Sequence, residues 1–289
     1  MKASAKFDFE DEKFNAPPSQ VLPWCQMINP RYGPDGLQPY GLAIKLDNAQ
    51  AVGFRPDENW QEVEHEFSSG METVYITTTP RLAMVRRGPL SVKDRETGIK
   101  LGTFKDYKDD FLADKLKFKI FTRHLIFIVG EDKKFLHQLP LQLTLSGSAG
   151  ASFGKNYCEY QQGRVSGGFV AELEKAYAGF HKKPVTPKGP LFHAHGIYCP
   201  IIECEERGIQ PNTALVASTV DYKHPTLGTL TEYMIASDSP ESTIICKTFE
   251  DYKEFGKEPI KTDATKMEMA GVSSSYIYAD EDDFGYPPY

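Results

Sequence analysis

Long apolar runs are missing from this sequence. None of its 289 residues falls in an uninterrupted apolar stretch of about 18 or more, so no segment reads as a membrane-spanning helix. Cysteine is sparse: Cys25, Cys158, Cys199, Cys204 and Cys246 form an odd, scattered set. Such a set is no disulfide framework, and the expected compartment is a reducing cytosol. The first residues, Met1 to Phe14, mix charges with phenylalanine and lack the apolar core of a signal peptide. Short catalytic signatures are lacking too, with no G-x-S-x-G, no H-E-x-x-H and no paired-aspartate cluster at a strand end. The reading is therefore of a non-enzyme, although triad members need not be sequence neighbours. No internal repeat is visible. What is present is ordinary: 40% hydrophobic and 25% charged residues exclude a wholly disordered or collagen-like chain.

The net charge is −7, which on its face speaks against a nucleic-acid partner. The charge is not evenly spread. From Arg81 to Lys134 there are 14 Lys and Arg against 8 Asp and Glu, a balance of +6. From Ala236 to Tyr289 there are 5 Lys against 12 acids, a balance of −7. The last 54 residues thus carry the whole net charge, and the middle of the chain is basic. Such asymmetry suits a nucleic-acid surface with an acidic tail, although a basic window is a weak signal alone.

Apolar periodicity and turn residues give a strand-rich chain. Strands are expected near Tyr40 to Leu46, from Met71 to Val85 with a break at Pro80, and from Lys115 to Val129. In the last of these, Lys115, Lys117, Lys119, Phe121 and Arg123 share one face, and Leu116, Phe118, Ile120 and Ile126 the other. Phe135 to Leu145 reads as the returning strand of a long hairpin, with Pro140 marking an edge or bulge. Ser146 to Gly154 reads as a flexible connector. Phe169 to Phe180 has helical spacing and is the one clear amphipathic helix. Lys182 to Pro190 is a linker. Leu191 to Ile202, Thr213 to Tyr222, Thr229 to Ile235 and Ser242 to Cys246 read as strands, and Thr248 to Phe255 as a short helix. The absence of βαβ alternation argues against a doubly wound sheet. The expected fold is α+β, mainly antiparallel β: an OB-like barrel or curled sheet with one amphipathic helix. Residues 1–20 form a flexible lead-in, 21–256 a single globular domain and 257–289 a disordered acidic tail.

Three segments invite a chemical reading. Gly147-Ser148-Ala149-Gly150-Ala151-Ser152-Phe153-Gly154-Lys155 resembles a phosphate loop, but the glycine spacing is wrong and Asn156 stands where Ser or Thr should bind magnesium. His193, His195, Cys199 and Cys204 have the donor types of tetrahedral zinc. Their spacing matches no standard zinc knuckle and favours a partly buried strand with ordinary thiols; no cofactor is expected. The basic stretch interleaves cations with aromatics. Arg81, Arg86, Arg87, Lys100, Lys105, Lys115, Lys117, Lys119 and Arg123 would contact phosphates, and Phe104, Tyr107 and Phe121 would stack on bases. The competing reading is a solvated strand face whose rings lie in the core.

The chain ends Asp280-Glu281-Asp282-Asp283-Phe284-Gly285-Tyr286-Pro287-Pro288-Tyr289. Its acids can compete with nucleic acid for a cationic surface, and Phe284, Tyr286 and Tyr289 can anchor in a partner's pocket. This tail resembles the acidic, aromatic-tipped C-termini of single-stranded DNA-binding proteins of bacteria and phages. That resemblance implies an OB-fold core and a tip that recruits replication and repair enzymes. The tip departs from the bacterial Pro-Phe ending. The body resembles an uncharacterised family associated with cyanobacteria and mobile elements, through Val21-Leu22-Pro23-Trp24, Asn29-Pro30, Pro80-Arg81-Leu82, Arg95-Glu96-Thr97-Gly98 and Leu139 to Thr144. The expected function is cytoplasmic single-stranded DNA binding in replication, recombination or repair. Expected partners are single-stranded DNA and replication or recombination proteins at the tail, with no membrane; self-association stays open. The alternatives are a phage- or plasmid-derived structural adaptor that uses its tail without touching DNA, and an enzyme with dispersed site residues.

Overall fold

The computed structural model describes residues 22–257, apart from 35, 68, 162, 163, 210 and 211. Its centre is one mixed sheet. In chain order its strands are β1 (Trp24–Ile28), β4 (Gly41–Lys45), β5 (Gln61–Phe67), β6 (Gly70–Thr77), β7 (Leu82–Arg87), β8 (Ser91–Asp94), β9 (Lys100–Thr103), β10 (Phe118–Ile128), β11 (Leu141–Ser146) and β14 (Ile197–Tyr198). The short pairs β2 (Tyr32–Gly33) with β3 (Gly36–Leu37), and β12 (Glu159–Gln161) with β13 (Arg164–Gly167), stand outside it. So does the hairpin of β15 (Pro200–Ile209) and β16 (Asn212–Tyr222). The main order is β14-β7-β10-β11-β1-β4-β6-β5, with β8 and β9 continuing from β10. All pairings are antiparallel except β1 with β11.

The fold is therefore α+β with a mainly antiparallel sheet, as the sequence implies. The sheet has two distinct ends, β14 and β5, and is no closed barrel. Nor is there a single helix. Helices α1 (Leu46–Val52), α2 (Lys108–Ala113), α3 (Gly147–Tyr157), α4 (Gly168–Phe180), α5 (Pro190–Ala194) and α6 (Pro240–Asp251) cover the sheet.

The period of two along the central strands explains this layering. Leu82, Met84, Ile126 and Ile128 point to one face and pack with Phe153 of α3 and Phe169 and Leu173 of α4. Ala83, Val85, Phe127 and Val129 point to the other and pack with Ala194 of α5 and Ile245 of α6. A sheet covered on both faces buries nearly continuous runs, and the last five residues of β10 are all buried. A smaller core of Val92, Phe111 and Phe118 holds α2 against β8 and β10.

Several expectations are corrected here. Ser146 to Gly154 is no connector: it begins α3, because Ala149, Phe153 and Tyr157 recur at helical spacing and are buried. Burial of that stripe overcomes the helix-weakening glycines, whose cost is about 1 kcal/mol each. Leu191 to Ile202 is strand only in its second half, in β14 and the start of β15; its first residues belong to α5, with Pro190 at the start. Thr229 to Ile235 holds a 3-10 turn, Leu230–Glu232. Ser242 to Cys246 is no strand: α6 runs through it and on to Asp251, taking in the first part of Thr248 to Phe255, with Pro240 in its first turn and the Ser239 hydroxyl accepting the Ser242 N–H at 3.1 Å. Pro140 lies just before β11 rather than inside it.

Candidate functional site

A cavity of about 240 Å³ opens where the main sheet meets the β8–β9–α2 extension. One wall is α3, which presents Gly147, Gly150, Ala151 and Gly154, four small residues on one helical face. Facing it are Lys119, Ile120, Phe121 and Thr122 of β10. Arg87 at the end of β7, Leu90, Arg95 after β8, Phe111 of α2 and Lys155 of α3 complete the rim with Cys158, Leu145 and Ser146.

The lining holds four cations, Arg87, Arg95, Lys119 and Lys155, and no carboxylate. Guanidinium and ammonium groups only donate hydrogen bonds; here Arg95 Nη2 donates to the Phe118 carbonyl at 3.4 Å and the Arg87 guanidinium lies 5.9 Å from the Tyr160 ring. Lys119 is nearly buried, at 5% exposure. Ser146, which precedes α3, makes no side-chain capping bond, and its helix N-terminus adds a favourable end for an anion. Cys158 is no nucleophile here, because burial pushes its thiol up and keeps it protonated.

Behind the cavity the sheet is neutral. His124 is opposite Arg87 in the β7–β10 pairing and packs against Phe153, with ring centroids 5.7 Å apart. It is almost fully buried, and burial, with the Arg87 charge second, pushes its pKa down to about 3. The imidazole is thus uncharged at neutral pH and adds nothing to the cationic lining.

The cations singled out from the sequence divide into two groups. Arg87 and Lys119 line the cavity. Arg81 pairs with Glu131 at 3.3 Å. Arg86 places its guanidinium 3.3 Å from the centre of the Phe249 ring and donates from both Nε, at 2.9 Å, and Nη2 to the Phe249 carbonyl. Lys100 donates to the Gly256 carbonyl at 2.9 Å. Lys105 and Lys117 are exposed, and Lys115 and Arg123 half-buried, away from the cavity lining. The structure places the three aromatics inward. Phe104 and Tyr107 pack on the Val92–Phe111–Phe118 core, and Phe104 meets Phe111 edge to face at 5.7 Å. Phe121 is 7% exposed and contributes to the cavity lining. The three rings thus pack into the fold, Phe104 and Tyr107 on the small core and Phe121 at the cavity, and form no open row.

The four zinc candidates take separate partners. His193 Nε2 lies 2.7 Å from Glu174 Oε1. His195 lies 2.9 Å from the Ser242 hydroxyl and 2.8 Å from the Leu191 carbonyl. Cys199 is buried near the start of the hairpin, and Cys204 is half-buried further along it. They do not share a strand face, because α5 holds His193 and its cap is His195. Among the described residues, no group of three or more His, Cys, Asp or Glu is arranged to hold a metal ion. No helix among them is long and apolar enough to cross a membrane. Asp280, Glu281, Asp282, Asp283, Phe284, Tyr286 and Tyr289 lie outside the described residues.

Gly150, Gly154 and Lys155, which the sequence offers as a failed phosphate loop or a connector, line the cavity from a helix instead. The signal was the buried stripe of Ala149, Phe153 and Tyr157, whose phase leaves Gly147, Gly150 and Gly154 on the adjoining helical face.

Fold and site together define an α+β protein with a two-sided sheet and a cationic cavity at its margin. The chain belongs to the family described as "Domain of unknown function (DUF5895)", whose model matches residues 19–268. It is also similar to "Uncharacterized protein 254L" of Invertebrate iridescent virus 6, 24% identical over 215 residues. That match covers 72% of this chain and 61% of the viral protein's length. No solved structure matches the chain.

Proposed function

We propose that this protein binds single-stranded nucleic acid, with DNA as the expected form, at the cavity between α3 and β10. The observation that carries the reading is the lining itself: four cations, no carboxylate, and apolar side chains beside them. Single strands are held by cations on the backbone and apolar or aromatic surface against the bases. Arg87, Lys119 and Lys155 are the phosphate contacts in this reading, and Phe121 with Ile120 the apolar one.

The tail enters as a competitor and a recruiter. Gly256 lies against Gly88, the residue after Arg87: a Cβ at Gly256 would stand 2.7 Å from the Gly88 Cα. Its φ of +79° also requires glycine. Lys100 and Arg86 fasten the same segment, so residues 258–289 follow from a point beside the cationic site. Those residues hold seven Asp and Glu and two Lys. Tethered acids at such a distance act at a high effective concentration. The aromatic tip would then engage replication or recombination proteins.

Fluorescence anisotropy with a labelled single-stranded oligonucleotide tests both parts. The full chain should bind at low salt, and a chain truncated after Ser275 should bind more tightly, by about fivefold, roughly 1 kcal/mol. Absence of binding in both chains at low salt would remove the reading. Equal affinities would remove only the competition.

A further inference from the structure

Tyr160 stands beside the cavity with its ring in the open. It lies in β12, two positions after Cys158, which lines the cavity. The side chain is 60% exposed, whereas Phe121 is 7% exposed and Phe104 and Tyr107 pack inward. Exposure alone says little, because single apolar side chains are common on any protein surface. Tyr160 differs in being fixed by the rim of the cavity. The Arg87 guanidinium lies over the ring, 5.9 Å from its centre. The Tyr160 hydroxyl donates to the Cys158 thiol and accepts from Arg87. Arg87 and Cys158 both belong to the lining. The ring is therefore held at its hydroxyl and met by a cation on one face, while most of its surface is left to solvent. A side chain oriented in this way has little rotamer freedom left to lose when a ligand arrives.

An oriented, exposed ring suits a flat partner. Nucleobases stack on tyrosine whatever their identity, because every base has a π face. A guanidinium over one face is attracted to the ring and leaves the other face for such a partner. The base must first have left its neighbours. A single strand supplies one freely, whereas a duplex does so only at the cost of unpairing and unstacking. Phosphate contacts accept either form, since they read the backbone and not the bases. At this site the ring is the group that can tell the two forms apart.

We propose that Tyr160 is the base-stacking platform of the site and the residue that makes it choose single strands over duplex. The inference rests on the nucleic-acid reading above and sharpens it from strand binding to a named basis for strand selectivity. One base lies on the Tyr160 ring outside the cavity, and Arg87 couples that ring to the lining.

The test uses the full-length protein and labelled DNAs of one length: oligothymidylate, an abasic strand and a duplex. Fluorescence anisotropy at one low salt concentration gives the affinities. Oligothymidylate should bind about tenfold more tightly than the abasic strand, a difference of 1.4 kcal/mol. Tyr160→Ala should lower the oligothymidylate affinity about tenfold and leave the abasic strand and the duplex unchanged, so that the selectivity disappears. Tyr160→Phe keeps the ring without the hydroxyl contacts and should stay within about threefold of the wild type. Tyr160→Trp should restore full selectivity. The position is exposed, so urea midpoints of all three variants should match the wild type.

An unchanged oligothymidylate affinity in Tyr160→Ala would overturn the stacking role and leave strand binding standing. Equal weakening of all three DNAs would also overturn it, because a ring that only supports Arg87 affects every backbone contact alike. Failure of the wild-type protein to bind any of them would remove the nucleic-acid reading, and the proposal with it.

Discussion

Arg86 and Arg87 adjoin in β7 and serve opposite faces of the sheet. Arg86 faces α6, where the Phe249 ring and carbonyl take up its guanidinium. Arg87 faces α3 and the cavity. The same division separates Lys100, fastened to Gly256, from Lys119, which lines the site. A basic stretch thus holds two populations, and in β7 they divide beyond the register shift in its pairing with β10, which turns Arg86 to the α6 face and Arg87 to the α3 face. One population joins elements of the fold through Phe249 and Gly256, and the other lines the cavity, where Arg87 also lies 5.9 Å from the Tyr160 ring. The +6 balance of the sequence counts both, so it overstates the charge available for binding.

The largest expected effect tests what lies behind the Arg87 face. His124 is pushed down to about 3 and His137 to about 4, both mainly by burial. His137 Nε2 accepts the Ile128 N–H at 2.8 Å, and its Nδ1–H donates to the Leu139 carbonyl at 2.6 Å, so the neutral ring is the one the fold needs. Both values lie below the ordinary 6.5, so the unfolded chain binds protons that the folded chain refuses. Stability is full above about pH 6.5 and is lost as pH falls toward 4. The loss is roughly 3 kcal/mol per imidazole by pH 4. Urea denaturation at pH 7 and pH 4.5 measures it. His124→Leu should flatten the dependence, and an unchanged profile would show that His124 is not held neutral behind Arg87.

Next in size is the comparison of the two arginines. Arg86→Ala should cost about 2–3 kcal/mol, from a charge-assisted bond to the Phe249 carbonyl and a cation–π contact. Arg87→Ala, at an exposed position, should cost about 0.5 kcal/mol or less. Urea midpoints at neutral pH check the pair. In binding the order should reverse, with the folded Arg86→Ala protein retaining its affinity for single-stranded DNA and Arg87→Ala losing part of it. Equal destabilisation by the two would dissolve the division drawn between them.

Much of this was legible in the sequence where one periodicity dominated. The strand of Lys115 to Val129 is present as β10 over Phe118–Ile128, and the helix of Phe169 to Phe180 as α4, because a long apolar segment and a 3.6 pattern mark them, although Leu116 is exposed and Lys119 buried against the expected faces. The misreadings cluster where composition and pattern conflict. Glycine and serine hid α3, although Phe153 and Tyr157 were spaced to bury it. The β-branched residues of α6 suggested a strand, yet Ser239 caps the segment and Ile245 packs against the sheet. At the site, alternation alone could not say which face of β7 would meet a helix that accepts its charge. Phe249 lies 163 residues from Arg86, and only the folded chain brings it there.

The smallest effect discriminates most directly between the two populations. Binding that releases counterions weakens with salt, and each phosphate contact adds a little under one unit to the slope of log affinity against log salt. Lys155→Ala and Arg87→Ala should each lower that slope by about 1, while Arg86→Ala should leave it alone. Single substitutions of this kind change affinity only a few-fold at moderate salt, so the slope is the better observable. Anisotropy titrations over a range of salt concentrations measure it. A slope that falls equally for Arg86→Ala would mean that α6 releases its arginine when DNA binds. A slope unchanged in all three would move the phosphate contacts away from the cavity, to exposed cations such as Lys105 and Lys117.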